Sequence, residues 1–461
     1  MLTAFFYSLV ALVGFLPVKD TDFGWHYRCG NEFFRFGKLC LENNYSYYLS
    51  SYKWGYSSVL YDTTLAFVYN LLGFNGLTIL NVFLWVGIAY LFSRLIKQNI
   101  LITSLVVFGL FFSSWDVFNL GFRPQIISIS LFLLTLLLLS EFRLKDRPLS
   151  LLFLPVLFFV WVNIHLGFFL GLIILGLFTL QSYIERKNAA LYLVILVNSI
   201  GATLLNPFTY KIYSELLRHF QTPLYNLIAE WVRPEWWIQL IIIVSFLALS
   251  YLLYAKRSRL VFAWGVLIIC TYLSITARRN VPLFYIMSMY ILFAELKIQL
   301  NQVTHVVKPL GIAVLATILI FFLDQPTKTF SFNKGSADYC ESLLVKLPCD
   351  LVKRYKNLTG NVFAMYEWGG YLIWKLPSTK VFVDGRMPAW RAPNNESPYT
   401  TFLKIIQTQN GWNEQLVKYK TDYLLIQEGT FLDLKLQETK LEKYGWKELY
   451  RDKLAVLYKK L

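Results

Sequence analysis

Apolar residues gather in eleven runs along the first two thirds of the chain, at 2–18, 76–96, 99–114, 124–142, 149–164, 166–184, 188–205, 236–255, 260–276, 281–296 and 308–323. A helix that crosses a bilayer needs roughly 20 apolar residues, because hydrocarbon offers no partners to backbone polar groups. Several runs meet that length. The pattern predicts a polytopic α-helical membrane protein with about eleven transmembrane helices. The first run is shorter than that length. It lacks a basic leader, and no small-residue cleavage site follows Leu16-Pro17-Val18. A retained anchor is therefore favoured over a signal peptide.

The short basic loops set an orientation. Arg94 and Lys97 follow the second run, Arg143, Lys145 and Arg147 the fourth, Arg186 and Lys187 the sixth, and Lys256, Arg257 and Arg259 the eighth. Cytoplasmic loops are enriched in Lys and Arg. With these loops inside, the N-terminus is cytoplasmic and the C-terminal part lies outside. The outer side then receives the first loop, 19–75, the loop 206–235, and the short connections carrying Asp116, Arg123, His165 and Arg278-Arg279. Two arginines in a short outer turn run against the charge bias, which marks them as functional candidates. Within the outer loops, residues 25–36 and 56–72 read as helices suited to lie along the interface, the second broken by Gly73 and Gly76. Residues 210–220 read as a third, closed by Pro223.

From about Gln325 charged residues become frequent and apolar runs shorten. The alternation predicts strands at 361–365, 380–383 and 422–426, helices at 368–374 and 403–418, and a closing hairpin from 446–450 and 454–458. This divides the chain into a membrane domain, 1–324, and an extracytoplasmic α/β domain, 325–461. No GxGxxG or P-loop is present, so the second domain is assigned no nucleotide.

Composition agrees with this class. Of 461 residues, 56% are hydrophobic and only 16% charged, against about 25% charged in soluble domains. The formal net charge of +16 is accounted for by basic loops facing the cytoplasm and anionic head groups. It does not call for nucleic acid. Cys29 and Cys40 share the first outer loop, and Cys340 and Cys349 share the C-terminal part. An oxidising compartment permits both pairs as disulfides, though spacing alone does not establish them. No Cys/His set has zinc spacing.

The candidate chemistry sits in the outer segments. Asp20 and Asp22 lie in Asp20-Thr21-Asp22-Phe23-Gly24-Trp25-His26. In an extended chain they point to one side, about 7 Å apart. Asp22 and His26 share a face if a helix begins there. Asp22 can serve simply as a helix N-cap. It can instead take a proton from an acceptor hydroxyl, or the two carboxylates can hold a divalent metal such as Mg or Mn against a phosphate. Arg278 and Arg279 are suited to a phosphate, which a guanidinium holds through two parallel bonds; they can equally snorkel to head groups. Arg123 has the same two readings. His165, between Asn163 and Gly167, is either a hydrogen bond between helices or a donor to phosphate. Asp116 and Glu230 stand beside Trp115 and Trp231, an acid-plus-aromatic pairing that suits sugar hydroxyls or interfacial anchoring. Asp384-Gly385-Arg386 reads as a tight turn, held by an Asp–Arg pair or binding an acceptor. The triplet Asn357-Leu358-Thr359 is incidental.

These motifs, in this order and on one side, resemble the multi-spanning GT-C glycosyltransferases of the protein O-mannosyltransferase-like and oligosaccharyltransferase-like kinds. They are more similar still to bacterial GT-C-like membrane proteins with a C-terminal Asp-Gly-Arg domain. The resemblance rests on Asp20-x-Asp22-x-x-Trp25-His26, Trp54, Arg123-Pro124-Gln125, Asn163-Ile164-His165, Asn206-Pro207-Phe208, Glu230-Trp231, Arg278-Arg279-Asn280, Glu367-Trp368-Gly369-Gly370 and Asp384-Gly385-Arg386. It implies sugar transfer from a polyprenyl-phosphate carrier, with the acidic motif of the first outer loop in the active site. Carried over, Asp20 and Asp22 match that motif, and Asp22 is the expected base or metal-positioning carboxylate, with His26 beside it. Gly24-Trp25 departs from the Trp-Trp of the pattern.

The reading that follows is an inverting glycosyltransferase working on the outer face of the cell membrane. Its donor phosphate is held by Arg278, Arg279, Arg123 and His165. Its acceptor, a glycan, lipid or protein, is met by Asp116, Glu230, Asp384 and Arg386. The rivals are a flippase of lipid-linked saccharide and a non-enzymatic assembly protein. A flippase would place ionisable groups near the bilayer midplane or in repeated halves, and no repeat is visible.

Overall fold

The computed structural model describes residues 2–145, 148–222, 228–257, 260–300, 304–323, 339–340, 345–393, 395–438 and 444–461. Arg147, Pro223, Arg259 and the expected boundary at 324–325 lie outside them. The chain forms two compact units. One takes Met1–Pro17, Phe74–Tyr210 and Pro223–Phe332; the other takes Val18–Gly73, Lys211–Thr222 and Asn333–Leu461.

The first unit is helical. Every apolar run becomes helix: Leu2–Gly14, the later part of Val59–Ile96, Ile100–Ser113, Pro124–Lys145, Pro148–Val162, Phe168–Glu185, Ala189–Thr203, Trp236–Ala255, Val261–Thr276, Val281–Tyr290 and Thr304–Phe322. Among the described residues four stretches are long and apolar enough to cross a membrane: Val59–Ile96, Pro124–Arg143, Phe168–Glu185 and Ala229–Ala255. Shorter apolar helices accompany them. Trp236–Ala255 buries Ile242, Leu249 and Leu253 but exposes Leu240, Val244, Leu247 and Tyr251. A face so apolar and so uncovered suits hydrocarbon rather than water. The chain is a mostly helical membrane protein.

Val59–Ile96 is two helices, not one. Gly73 interrupts it at φ 61° and ψ −152°, a backbone conformation that favours glycine. Gly76, expected to break the chain as well, is helical. The Gly73 break coincides with the passage from the second unit to the first.

The second unit is built on a five-stranded sheet of order β2-β1-β3-β5-β4. Its strands are β1 Gly360–Ala364, β2 Thr379–Val381, β3 Tyr423–Gln427, β4 Trp446–Arg451 and β5 Ala455–Lys460. β1 runs parallel to β2 and β3, while β5 lies antiparallel between β3 and β4. The strands and the hairpin fall within a residue or two of the expected places. The helix expected at 403–418 is divided into Pro398–Ile406 and Trp412–Lys418, with Thr408 and Gly411 at positive φ between them. Helices Cys349–Arg354 and Phe431–Glu438 are too short for periodicity to show.

The helices Phe23–Phe36, residues 59–72 and Lys211–Gln221 belong to this unit. Phe23–Phe36 packs against Gly369–Lys375 and residues 59–72, and leaves Phe33, Phe34 and Phe36 exposed. A Cβ on Gly24 would come within 2.0 Å of the Gly370 carbonyl oxygen, and one on Gly30 within 1.9 Å of the Asp62 carbonyl oxygen. Only glycine permits such close backbone approach. Residues 45–47 pair with the outer side of β2: the Val381 amide donates to Tyr45 and the Tyr47 amide to Val381, at 3.0 and 3.1 Å. This covers an edge that would otherwise be open. The helix Lys211–Gln221 is tied in by Arg218, which donates to the Tyr52 hydroxyl at 2.7 Å. Both cysteine pairs are disulfides, Cys29–Cys40 and Cys340–Cys349.

Candidate functional site

In the second unit the acidic motif meets the Asp384-Gly385-Arg386 turn. Asp22 occupies the N-cap position of Phe23–Phe36 but makes no side-chain capping bond. Its carboxylate lies against Gly385, where an added Cβ would meet Asp22 Oδ1 at 1.8 Å. Asp20 is buried, and its Oδ1 accepts the Asp22 amide at 3.1 Å. Burial and the negative charge of Asp22 push the Tyr366 hydroxyl well above its ordinary pKa, so this phenol stays protonated beside the carboxylate.

Asp384 and Arg386 form an internal pair with no exposed side-chain surface. Arg386 donates from Nε and Nη2 to the two carboxylate oxygens, both at 2.7 Å, and from Nη2 to Asn43 Oδ1 at 3.2 Å. The rings of Tyr45, Trp390, Trp54 and Trp25 surround the guanidinium at 5.1 to 6.0 Å. Burial works against the Arg386 charge, and Asp384 outweighs it, raising the pKa further. The turn thus holds the segment Val18–Gly73 against the sheet. It offers no open surface to an acceptor.

His26 does not turn to Asp22. Its Nδ1 lies 2.5 Å from Asp62 Oδ1, and the Tyr56 hydroxyl donates to Asp62 Oδ2 at 2.5 Å. Asp62 is completely buried. Sequence reasoning passed over Asp62 and Tyr56. The available signal was an acid inside the apolar stretch 56–72, where an ionisable group needs a partner.

The helical unit holds the other candidates. Arg123 is buried at the start of Pro124–Lys145 and donates to Glu230 Oε1 at 2.6 Å. Arg279 lies 3.9 Å from Glu230 Oε2 and 4.5 Å from the centre of the Trp231 ring. Burial lowers the Arg279 pKa, and Glu230 acts against that loss. A cavity of about 70 Å³ opens beside this cluster, lined by Gln125, Ser128, Trp161, His165, Glu230 and Arg279 among others. The Gly167 amide donates to His165 Nδ1 at 3.1 Å. That bond places the proton of the neutral ring on Nε2. The two tandem arginines part company: Arg278 pairs with Asp116 and, at 3.4 Å, with Glu235. Arg123, Arg279, His165 and Glu230 are thus gathered together, whereas Arg278 and Asp116 form a separate exposed pair. Glu230 was expected to meet an acceptor; it contacts buried Arg123 and part-buried Arg279.

Among the described residues no three His, Cys, Asp or Glu side chains come together as metal ligands. Asp20 Oδ1 accepts a backbone amide. Magnesium is usually held by one or two carboxylates together with substrate phosphate and water, so Asp20 and Asp22 are the residues that would hold a divalent ion, which would supply charge to a phosphate oxygen.

No protein-family model matches the chain, and no curated protein matches it. Solved structures do. The archaeal oligosaccharyltransferase AglB from Archaeoglobus fulgidus, in complex with an inhibitory peptide and a dolichol-phosphate, superposes with a TM-score of 0.60 at 10% identity, over 92% of this chain and 69% of that one. The Archaeoglobus fulgidus oligosaccharyltransferase complex with Zn and sulfate gives 0.56 at 10% identity, over 92% and 68%. Its apo form gives 0.54 at 10% identity, over 89% and 66%. The chain thus spans about two thirds of the length of these archaeal enzymes. Across nearly its whole length, this membrane protein shares the fold of these archaeal oligosaccharyltransferase structures.

Proposed function

We propose that the chain is an inverting glycosyltransferase that moves a sugar from a polyprenyl-phosphate carrier to an acceptor on the outer face of the cell membrane. The observation that carries this reading is the Arg123–Glu230–Arg279 cluster bordering a small cavity in the helical unit, in a protein with this fold. The neighbour bound to a dolichol-phosphate supports a lipid phosphate as donor. The two disulfides support an oxidising compartment for the sheet domain. The basic loops support a cytoplasmic N-terminus.

The chemistry is one displacement. The acceptor hydroxyl oxygen forms a bond to the anomeric carbon while the bond from that carbon to the phosphate oxygen breaks. Asp22 takes the hydroxyl proton, and the lipid leaves as its phosphate. Arg279, with His165 Nε2–H, meets the charge that grows on the leaving group. In a poorly hydrated site such donors contribute about 3 kcal/mol or more. Gln125 adds an amide whose Oε1 is buried without a donor among the described residues; it suits a sugar hydroxyl. Asp20 and Tyr366 position Asp22. Asp384 and Arg386, buried and locked together, position the first outer loop, and His26 and Asp62 brace its helices.

The test is incubation of the purified protein with labelled polyprenyl-phosphate sugars, followed by mass analysis of candidate acceptors. Transfer by the wild type that disappears in Asp22→Asn, with the fold intact, supports the reading. Movement of the lipid across a vesicle membrane without transfer supports a flippase instead.

A further inference from the structure

We infer that Glu230 is a counter-ion that limits the donor site to a phosphate bearing one negative charge. The inference rests on Arg279 as the phosphate ligand in the reading above. Glu230 makes two unequal contacts: 2.6 Å to Arg123 and 3.9 Å to Arg279. The short one is a charge-assisted hydrogen bond, and the long one is not a hydrogen bond at all. An arriving phosphate therefore takes Arg279 without breaking the Arg123–Glu230 pair. The charges then balance one against one: Arg123 stays neutralised by Glu230, and Arg279 by a phosphodiester.

A second negative charge on the ligand has no such partner. It would stand beside the Glu230 carboxylate in the same cavity. Like charges at short range repel. A lipid phosphodiester bearing a sugar carries one charge. A lipid pyrophosphate, or a lipid monophosphate above its second ionisation, carries more. The same repulsion acts on the lipid phosphate left after transfer and favours its release. Glu230 thus selects the donor over both its own product and pyrophosphate-linked saccharides, through an unfavourable contact rather than an added attraction.

The experiment compares three probes on the full-length protein in detergent at pH 8: methyl farnesyl phosphodiester, farnesyl monophosphate and inorganic phosphate. Dissociation constants are measured for the wild type, Glu230→Gln and Arg279→Ala. The wild type is expected to favour the diester over the monoester by about tenfold or more, and Glu230→Gln to abolish that preference by tightening the monoester. In Glu230→Gln, where the charge penalty is removed, weak binding of inorganic phosphate identifies the ligand as a lipid phosphate; binding there equal to that of the lipids overturns the lipid assignment. Loss of diester binding in Arg279→Ala with an unchanged preference in Glu230→Gln sinks the inference and leaves the donor site standing. Retention of binding in Arg279→Ala sinks both. Should Glu230→Gln not fold, the double variant Arg123→Gln/Glu230→Gln removes the buried pair together. It must lose the preference as well, and a preference kept there overturns the proposal.

Discussion

The carboxylate of Asp22 fills the space that a side chain at residue 385 would need, since a Cβ on Gly385 would lie 1.8 Å from Asp22 Oδ1. Two segments more than three hundred residues apart are fitted to each other at a glycine. Gly385→Ala is therefore expected to displace Asp22 while leaving the Asp384–Arg386 pair in place. A small misplacement of a catalytic group costs about a hundredfold in rate. Transfer should fall by that order in Gly385→Ala, with the melting temperature lowered far less than in Arg386→Ala. Full turnover in Gly385→Ala would argue against Asp22 as the base.

Buried Asp62 is held by His26 and Tyr56. Leaving a buried polar group without its partner costs about 1–3 kcal/mol. Asp62→Ala strands two, His26 and Tyr56, and should destabilise the protein by about 2–6 kcal/mol. Tyr56→Phe removes one hydrogen bond to a charged group and should cost about 1.5–3 kcal/mol. Denaturation monitored by tryptophan fluorescence measures both. Equal stability of Asp62→Ala and the wild type would remove the bracing role.

Arg278 and Arg279 are neighbours in sequence with different surroundings. Arg279 faces the cavity with Glu230; Arg278 pairs with exposed Asp116. Arg279→Ala is expected to weaken lipid-phosphate binding by about 2–5 kcal/mol, the usual cost of removing a charged partner. Arg278→Ala should weaken it by less than about 1 kcal/mol, as exposed pairs contribute little. Equal losses would mean that the two act as one clamp.

The sheet domain carries its own acid sensitivity. Burial raises the Asp433 pKa, but Arg451, Tyr458, the Gly429 amide and Gln437 outweigh it and hold the carboxyl at about 2. The folded state therefore binds this proton later than the unfolded chain does. The stabilisation is complete above the ordinary carboxyl range near 4 and is lost as the pH falls through that range towards 2. Asp433→Asn should be less stable than the wild type at pH 7, and the gap should close as the pH falls from about 4 to about 2. Hydrogen exchange of β3 and β5, read as a function of pH, checks this. A gap that stays constant would show that Asp433 is not the titrating group.

Much of the fold was legible because two of its patterns are physical necessities. A segment in hydrocarbon must satisfy its own backbone, so the apolar runs had to be helices, and helices are found at all of them. A strand covered on both faces reads as a short continuous apolar run, so β1, β3 and β5 could be placed. The helices at Cys349–Arg354 and Phe431–Glu438 were missed, because one or two turns leave no periodic trace. The packing of 25–36 against 59–72 and Gly369–Lys375 was not legible for another reason: an apolar face announces burial but not what buries it, and Gly24 and Gly30 were the hints of close packing.

The sequence by itself determined that this is a helical membrane protein with a small sheet-containing part, and which ionisable residues needed explaining in apolar surroundings. Only the tertiary structure decided their partners: His26 with Asp62 rather than Asp22, Glu230 with Arg123 and Arg279 rather than an acceptor, and Asp384 with Arg386 in the interior. Hydrophobic pattern is a property of local sequence, set by each residue's own transfer from water. Pairing between charges is a property of distance in space, and residues 22 and 385 become neighbours only once the chain has folded.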